Sequence, residues 1–296
     1  MTELRTALRE FLNNWQDDVP DAWRAVLAGA APNFDAVAEH LTLEPQERIY
    51  PLRRGHGDSH APAGSHVFRA LDGLGPDAVR AVLLGQDPYP RISRATGRSF
   101  EQGDLVAWDG RVAESLRRMV QGLAQYRAPD PAYVAHDDAW TSVRARVLAG
   151  NPAIEAPGAL FDRWQAAGVL CLNLGLTLSR FDPARTAASD RVQPAHMEMW
   201  KPLVRAILVH LACRPNGELL VVLWGDKARK AFEDMDVERE AESAGSRARL
   251  VVVNRVHPAA DGPRGNRGAS PFLRLDDPFT QANEALERIG ALPIDW

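Results

Sequence analysis

Four short apolar runs punctuate the chain, at 81–84, 169–172, 219–223 and 250–253. Runs that are apolar throughout, rather than alternating, read as strands buried on both faces of a sheet. Long connections separate them, several with helical spacing, which is the arrangement of a parallel sheet covered by helices. Upstream, Leu4, Leu8, Phe11, Leu12, Trp15, Val19, Trp23 and Val26 recur at helical intervals, predicting helix from about residue 3 to 27. Residues 55–65 are rich in Gly, His, Pro and Ser and read as a loop. The pattern therefore predicts an α/β fold with a mostly parallel four-stranded sheet.

The polar residues of interest fall just after those runs. Asp87 follows the first, within Gly85-Gln86-Asp87-Pro88-Tyr89, and Asn173 follows the second. Trp224-Gly225-Asp226 follows the third, and the stretch from Asn254 to His257 follows the fourth. Open α/β sheets place ligand crevices at the carboxyl ends of their strands, so four such ends describe one site. Taken singly, each residue has an ordinary explanation. Asp87 and Asn173 are turn formers, Tyr89 and Phe100 are plausible core aromatics, and His257 before Pro258 is an unremarkable loop histidine. Their joint placement argues for chemistry.

Composition narrows the class. A chain of 296 residues accommodates one large α/β domain or two small ones. Its net charge of −4 does not announce nucleic-acid binding, although only local charge steers a ligand at a site. Lys201, Lys227 and Lys230 are its only lysines; the remaining basic charge is arginine. Two cysteines, Cys171 and Cys213, are too few for a disulfide framework, a structural zinc site or a four-cysteine cluster. No stretch approaches a membrane span, and Glu3, Arg5, Arg9 and Glu10 interrupt any signal-peptide core. A soluble, cytoplasmic protein is expected. No glycine-rich phosphate loop of either standard kind is present.

Several motifs, in order, resemble the family-1 uracil-DNA glycosylases. Residues 85–89 match that family's water-activating motif, and Phe100 follows Ala95-Thr96-Gly97-Arg98-Ser99 at the family spacing. The run ending at Asn173, with Leu176-Thr177-Leu178 beyond it, resembles the strand bearing the uracil-reading asparagine. Leu223-Trp224-Gly225, His257-Pro258, Arg264-Gly265 and Pro293-Ile294-Asp295-Trp296 resemble later family segments, and Ile49-Tyr50-Pro51 and Val67-Phe68-Arg69-Ala70 an earlier one. The resemblance implies a glycosylase-like α/β domain over residues 45–296. Residues 1–44 are expected to form a helical segment packed on it, with insertions near 126–157 and 233–247.

It also implies a repair hydrolase that flips deoxyuridine out of DNA and cleaves its N-glycosidic bond, leaving free uracil and an abasic site. Asp87 would orient water and favour the sugar cation, and His257 would donate to the developing charge on uracil O2. Gln86, Tyr89, Phe100 and Asn173 would contact the base. Asn173 offers an acceptor and a donor for uracil N3–H and O4, Tyr89 fills the space of thymine's methyl, and Phe100 stacks. Pro88, Ser115, Pro258, Ala259, Asp261 and Arg264 would lie against DNA, with Arg267 a further phosphate contact. No cofactor or metal is implied. The expected partner is uracil-containing DNA, single- or double-stranded, with no membrane association. The family's members act as monomers, and some are met by an inhibitor protein that mimics DNA.

The match is uneven. The family's histidine loop normally carries a leucine wedge and phosphate-gripping serines. Here it reads His257-Pro258-Ala259-Ala260-Asp261-Gly262-Pro263, with no leucine and no serine. Pro90-Arg91 and Thr96 also depart from the pattern, and Ala113 and Glu114 replace the prolines that precede Ser115. The base-reading residues survive while the gripping residues do not, so single-stranded substrate is expected to be preferred. A catalytically diverged uracil- or nucleic-acid-binding relative, or a glycosylase for another modified base, is the alternative.

Overall fold

The computed structural model describes residues 1–130, 132–181, 189–260, 271–273 and 277–296, with backbone alone at 189–190. The chain opens with strand β1 (Thr2–Glu3), helix α1 (Leu4–Phe11) and helix α2 (Asp21–Leu27). Strand β2 (Thr42–Leu43) then returns antiparallel to β1. The helical spacing over 3–27 is thus realised in pieces. Asn14 adopts a left-handed conformation with φ 54°, a single 3-10 turn spans Trp15–Asp18, and Pro20 precedes α2. Leu4, Leu8, Trp15 and Trp23 stay buried across these breaks, because the short pieces turn the same apolar face inward.

The remaining elements alternate. Strand β3 (Ala81–Gly85) leads to α3 (Glu114–Arg127), α4 (Trp140–Leu148) and α5 (Pro157–Ala166). Strand β4 (Val169–Asn173) leads to α6 (Ser189–Ala212). Strand β5 (Leu219–Trp224) leads to α7 (Asp226–Asp234) and α8 (Val237–Ser243), and β6 (Leu250–Arg255) to α9 (Pro278–Arg288). The expected strands are all present, each extended by one or two residues toward its carboxyl end. The sheet is fully parallel in the order β4-β3-β5-β6. The chain steps to one side after β3 and to the other after β5, so the reversal lies between these two neighbours.

Burial explains the apolar runs. Val82, Leu84, Leu170, Leu172, Val221 and Leu223 enter a core built with α1, α2, α6, α7 and α8. The intervening Leu83, Cys171, Leu220, Val222 and Val253 enter a second core built with α3, α4, α5 and α9. A strand covered on both faces has no solvent side to mark with polar residues. The stretches near 126–157 and 233–247 contribute helices, α4 and α8, whose Val143, Val147, Val237 and Ala241 belong to these cores. Loop 55–65 carries no helix or strand.

The N-terminal helices are fastened to the sheet layers by polar contacts as well. Arg53 is buried and donates to the Phe11, Asn13 and Asn14 carbonyls and to the Asp18 carboxylate. Trp23 Nε1 donates to the Leu74 carbonyl at 2.8 Å. The molecule is one α/β domain.

Candidate active site

Strand register sets the site. Gly85, last in β3, lies directly beside Asn173, last in β4. Loop backbone extends the pairing, with Leu174 N–H donating to the Gly85 carbonyl and Gly175 N–H to the Gln86 carbonyl, both at 2.9 Å. The residues after the two strands are therefore held together rather than merely near each other. Position 85 must be glycine, because a Cβ there would stand 2.5 Å from Asn173 Oδ1 and 2.6 Å from Ser99 Cβ. Asn173 is 2% exposed, and its Oδ1 has no hydrogen-bond partner among the described residues. A buried amide oxygen left unpaired costs roughly 1–3 kcal/mol, which a ligand donor would return.

Ser99 ties the next segment beneath the sheet end. Its N–H donates to the Cys171 carbonyl at 3.0 Å and its Oγ to the Leu83 carbonyl at 2.9 Å. Phe100 follows in a left-handed conformation, φ 63°, rare and strained for an aromatic residue. Its ring lies 5.7 Å from Trp224 and 6.4 Å from His257, centroid to centroid. Three rings from three parts of the chain thus meet at one end of the sheet.

Asp87 is pressed into this end. Burial pushes its carboxyl up to about 6, opposed by a hydrogen bond from Gln193 and the charge of Lys227. Gln193 Nε2 donates to Asp87 Oδ1 at 2.6 Å from the first turns of α6. Tyr89 donates or accepts at Ser115 Oγ over 3.0 Å, and burial raises its phenol to about 12, so it stays neutral. Ser115 sits in the first turn of α3, 8% exposed, with its hydroxyl engaged by that ring.

His257 reaches the same space from the loop after β6. Gly225 makes room for it: with φ 110°, a Cβ there would stand 3.0 Å from His257 Cβ. Ala259 N–H donates to His257 Nδ1 at 3.0 Å, so the neutral ring carries its proton on Nε2. Burial, and then Lys227, lowers its proton affinity below the ordinary histidine value, which favours that neutral form. A neutral imidazole with a fixed Nε2–H is a donor suited to an oxygen that becomes negative.

A second histidine supports the site from behind. His196, fully buried in α6, has its proton affinity lowered to about 3 by burial and is neutral. Trp200 Nε1 donates to Thr177 Oγ1 at 2.8 Å, and Thr177 Oγ1 shares a hydrogen bond of 2.9 Å with His196 Nδ1. His196 Nε2 shares another with Ser179 Oγ at 2.9 Å. This chain pins α6, and hence Gln193 one turn earlier, to the loop beyond Asn173.

Asp87, Tyr89, Phe100, Asn173 and His257 are thus brought together, with Gln86 between Gly85 and Asp87 and with Pro88 and Pro258 buried beside them. Ala259 contributes its backbone N–H. Asp261, Arg264 and Arg267 lie outside the described residues. Gln193 was not singled out from sequence. Its only signal would have been an amide in a stretch broken by Pro194 and Pro202, which hides the helix. Among the described residues, no group of three or more His, Cys, Asp or Glu side chains is placed to hold a metal ion. No described helix is long and apolar enough to cross a membrane.

No protein-family profile matches the chain. Curated relatives do. The uracil-DNA glycosylase of Mycobacterium tuberculosis is 29% identical over 279 residues, 94% of this chain and 95% of the relative. That of Enterococcus faecalis is 28% identical over 282 residues, 94% and 96% of the two chains. That of Bordetella pertussis is 27% identical over 280 residues, 92% and 90%. Among solved structures, the UNG of Nitratifractor salsuginis superposes with a TM-score of 0.54 at 20% identity, covering 99% of this chain and all of its own. Mimivirus uracil-DNA glycosylase gives 0.53 at 20% identity, covering 85% of this chain and 75% of its own. The superpositions speak for the fold, and the curated relatives align across nearly the whole chain. With the strand ends and their side chains arranged as above, the chain is similar over nearly its whole length to proteins named uracil-DNA glycosylase.

Proposed function

We propose that this protein hydrolyses the N-glycosidic bond of deoxyuridine in DNA, releasing uracil and leaving an abasic site, and that it prefers single strands. The observation that carries the reading is the buried amide oxygen of Asn173, without a hydrogen-bond partner among the described residues, beside Phe100's segment and next to Asp87's strand. Uracil supplies the matching N3–H, and the amide N–H₂ donates to O4. Cytosine presents the opposite pattern and would leave both groups mispaired, a strong basis for rejection. Phe100 stacks on the ring, Tyr89 bars a methyl at C5, and Gln86 closes the floor. As the bond breaks, negative charge on uracil O2 meets the His257 Nε2–H, worth roughly 3–4 kcal/mol for one preorganised donor. The ionised Asp87 faces the sugar cation and orients the water that adds to it.

Single-strand preference rests on the sequence of the histidine loop. Asp261 and Ala259 stand where an apolar wedge and a hydroxyl would serve a duplex, and the Ser115 hydroxyl is taken up by Tyr89. By the same reading Arg264 and Pro258 flank the DNA, the enzyme works as a monomer without cofactor, residues 1–44 are an accessory layer of the one domain, and a DNA-mimicking inhibitor is a partner class to be tried.

The test uses the purified chain in EDTA with matched single-stranded and duplex oligonucleotides carrying one uracil, scored for abasic sites. Excision lost in Asp87→Asn, and faster on the single strand, is the expected result. Asp261→Leu is expected to raise duplex excision. Equal rates on both substrates would overturn the preference, and absence of excision by folded protein would overturn the activity in favour of a binding relative.

A further inference from the structure

Every lysine in the chain lines one cleft. Lys201 on α6 and Lys227 and Lys230 on α7 surround a cavity of about 210 Å³ whose wall includes Leu174, Met197 and Met235. The cleft adjoins the active site on two sides. Leu174 directly follows Asn173, and Lys227 stands close enough to Asp87 and His257 to influence the protonation of both. Glu198 and Asp234 also line it, and Glu198 is paired with Lys201 at 3.7 Å. Lys227 and Lys230 have no ion-pair or hydrogen-bond partner among the described residues. Most arginines, by contrast, are committed to carboxylates or carbonyls, as Arg53, Arg98 and Arg180 are.

We propose that this cleft binds the nucleotide adjacent to the uridine on the substrate strand, its base against Leu174, Met197 and Met235 and its phosphate under Lys227 and Lys230. Proteins hold single strands without reading sequence by a positively charged groove that follows the backbone and by walls on which bases pack; here the cations are lysines and the wall is aliphatic and thioether rather than aromatic. The cavity is smaller than the roughly 300–1,000 Å³ of sites for drug-sized ligands, so a single base is the fitting occupant. A neighbouring base enters such a cleft only when it is unpaired and unstacked, which gives the single-strand preference a second physical origin. The inference rests on the glycosylase reading for the identity of the strand. Its binding test stands apart from excision.

Two measurements test it. Anisotropy of a fluorescent, uracil-free single strand, followed against salt, compares wild type with the double variant Lys227→Gln/Lys230→Gln and a charge-matched control, Arg24→Gln/Arg239→Gln, on exposed arginines. Losing two phosphate contacts is expected to lower the slope of log K against log salt by about 1.4 in the lysine variant and leave the control unchanged. Excision is then measured on strands with the base removed from either neighbour of the uridine. Wild type is expected to show about tenfold higher KM on one of these strands with kcat retained, and Met197→Ala/Met235→Ala to lose the distinction. A slope unchanged in the lysine variant, or lowered equally in the control, overturns the cleft. Failure to excise with the slope difference intact overturns the glycosylase reading instead.

Discussion

Replacing Gln193 by alanine removes the side-chain amide that donates to Asp87 Oδ1 at 2.6 Å, and leaves the fold of α6 otherwise anchored through His196. A hydrogen bond to a charged group is worth about 1.5–3 kcal/mol, and one pKa unit is 1.36 kcal/mol, so the Asp87 carboxyl should rise by about 1–2 units. From about 6 that puts it near 7–8, and the ionised fraction at pH 7 falls from about 0.9 to between about 0.5 and 0.1. The direction follows from which form works. The anion stabilises the sugar cation, so activity is lost as pH falls through the Asp87 pKa, and a higher pKa moves that loss upward. Single-turnover excision of uracil from a single-stranded oligonucleotide between pH 5 and 9 reads it directly. Gln193→Ala should lose about two- to tenfold at pH 7 and little at pH 9, and Gln193→Glu, which sets a second carboxylate against the first, should shift further. His257 titrates on the same limb but has no contact with Gln193, so its contribution stays fixed. A uniform loss at all pH values would show that Gln193 acts on the fold or on substrate binding. An unmoved limb with full activity would show that the amide does not govern Asp87.

Asp87→Asn should stabilise the protein while abolishing excision. A carboxyl whose folded pKa lies near 6, above its unfolded value, costs the folded state about 2–3 kcal/mol once pH exceeds 6. The melting temperature should rise by several degrees at pH 8 and converge with wild type near pH 4. Gly85→Ala should cost both stability and activity, because the added methyl meets Asn173 Oδ1 at 2.5 Å; about 1–3 kcal/mol by denaturant titration and excision reduced at least tenfold are expected. Arg53→Ala should leave the buried Asp18 carboxylate without its guanidinium partner and cost about 3–5 kcal/mol, seen as early proteolysis within residues 1–44 when the N-terminal layer detaches.

Much of the sheet is legible in the chain itself. A parallel strand buried on both faces must be apolar at every position, so 81–84, 169–172, 219–223 and 250–253 carry their own signature. The polar residues that end them, Asp87, Asn173 and His257, are legible because a parallel sheet delivers all its carboxyl ends to one side. What the chain alone leaves open is set by contacts between distant segments. That Gly85 meets Asn173 depends on strand register. That Ser115 serves Tyr89 depends on how α3 packs against the loop after β3. Gln193, embedded in a proline-interrupted helix, acquires its meaning only from the carboxylate opposite it. The lysine cleft joins residues of two helices that no spacing rule relates. Local pattern determines which segments are strands and where polar residues must emerge. Side-chain partnership is a property of packing, and only the tertiary structure decides it.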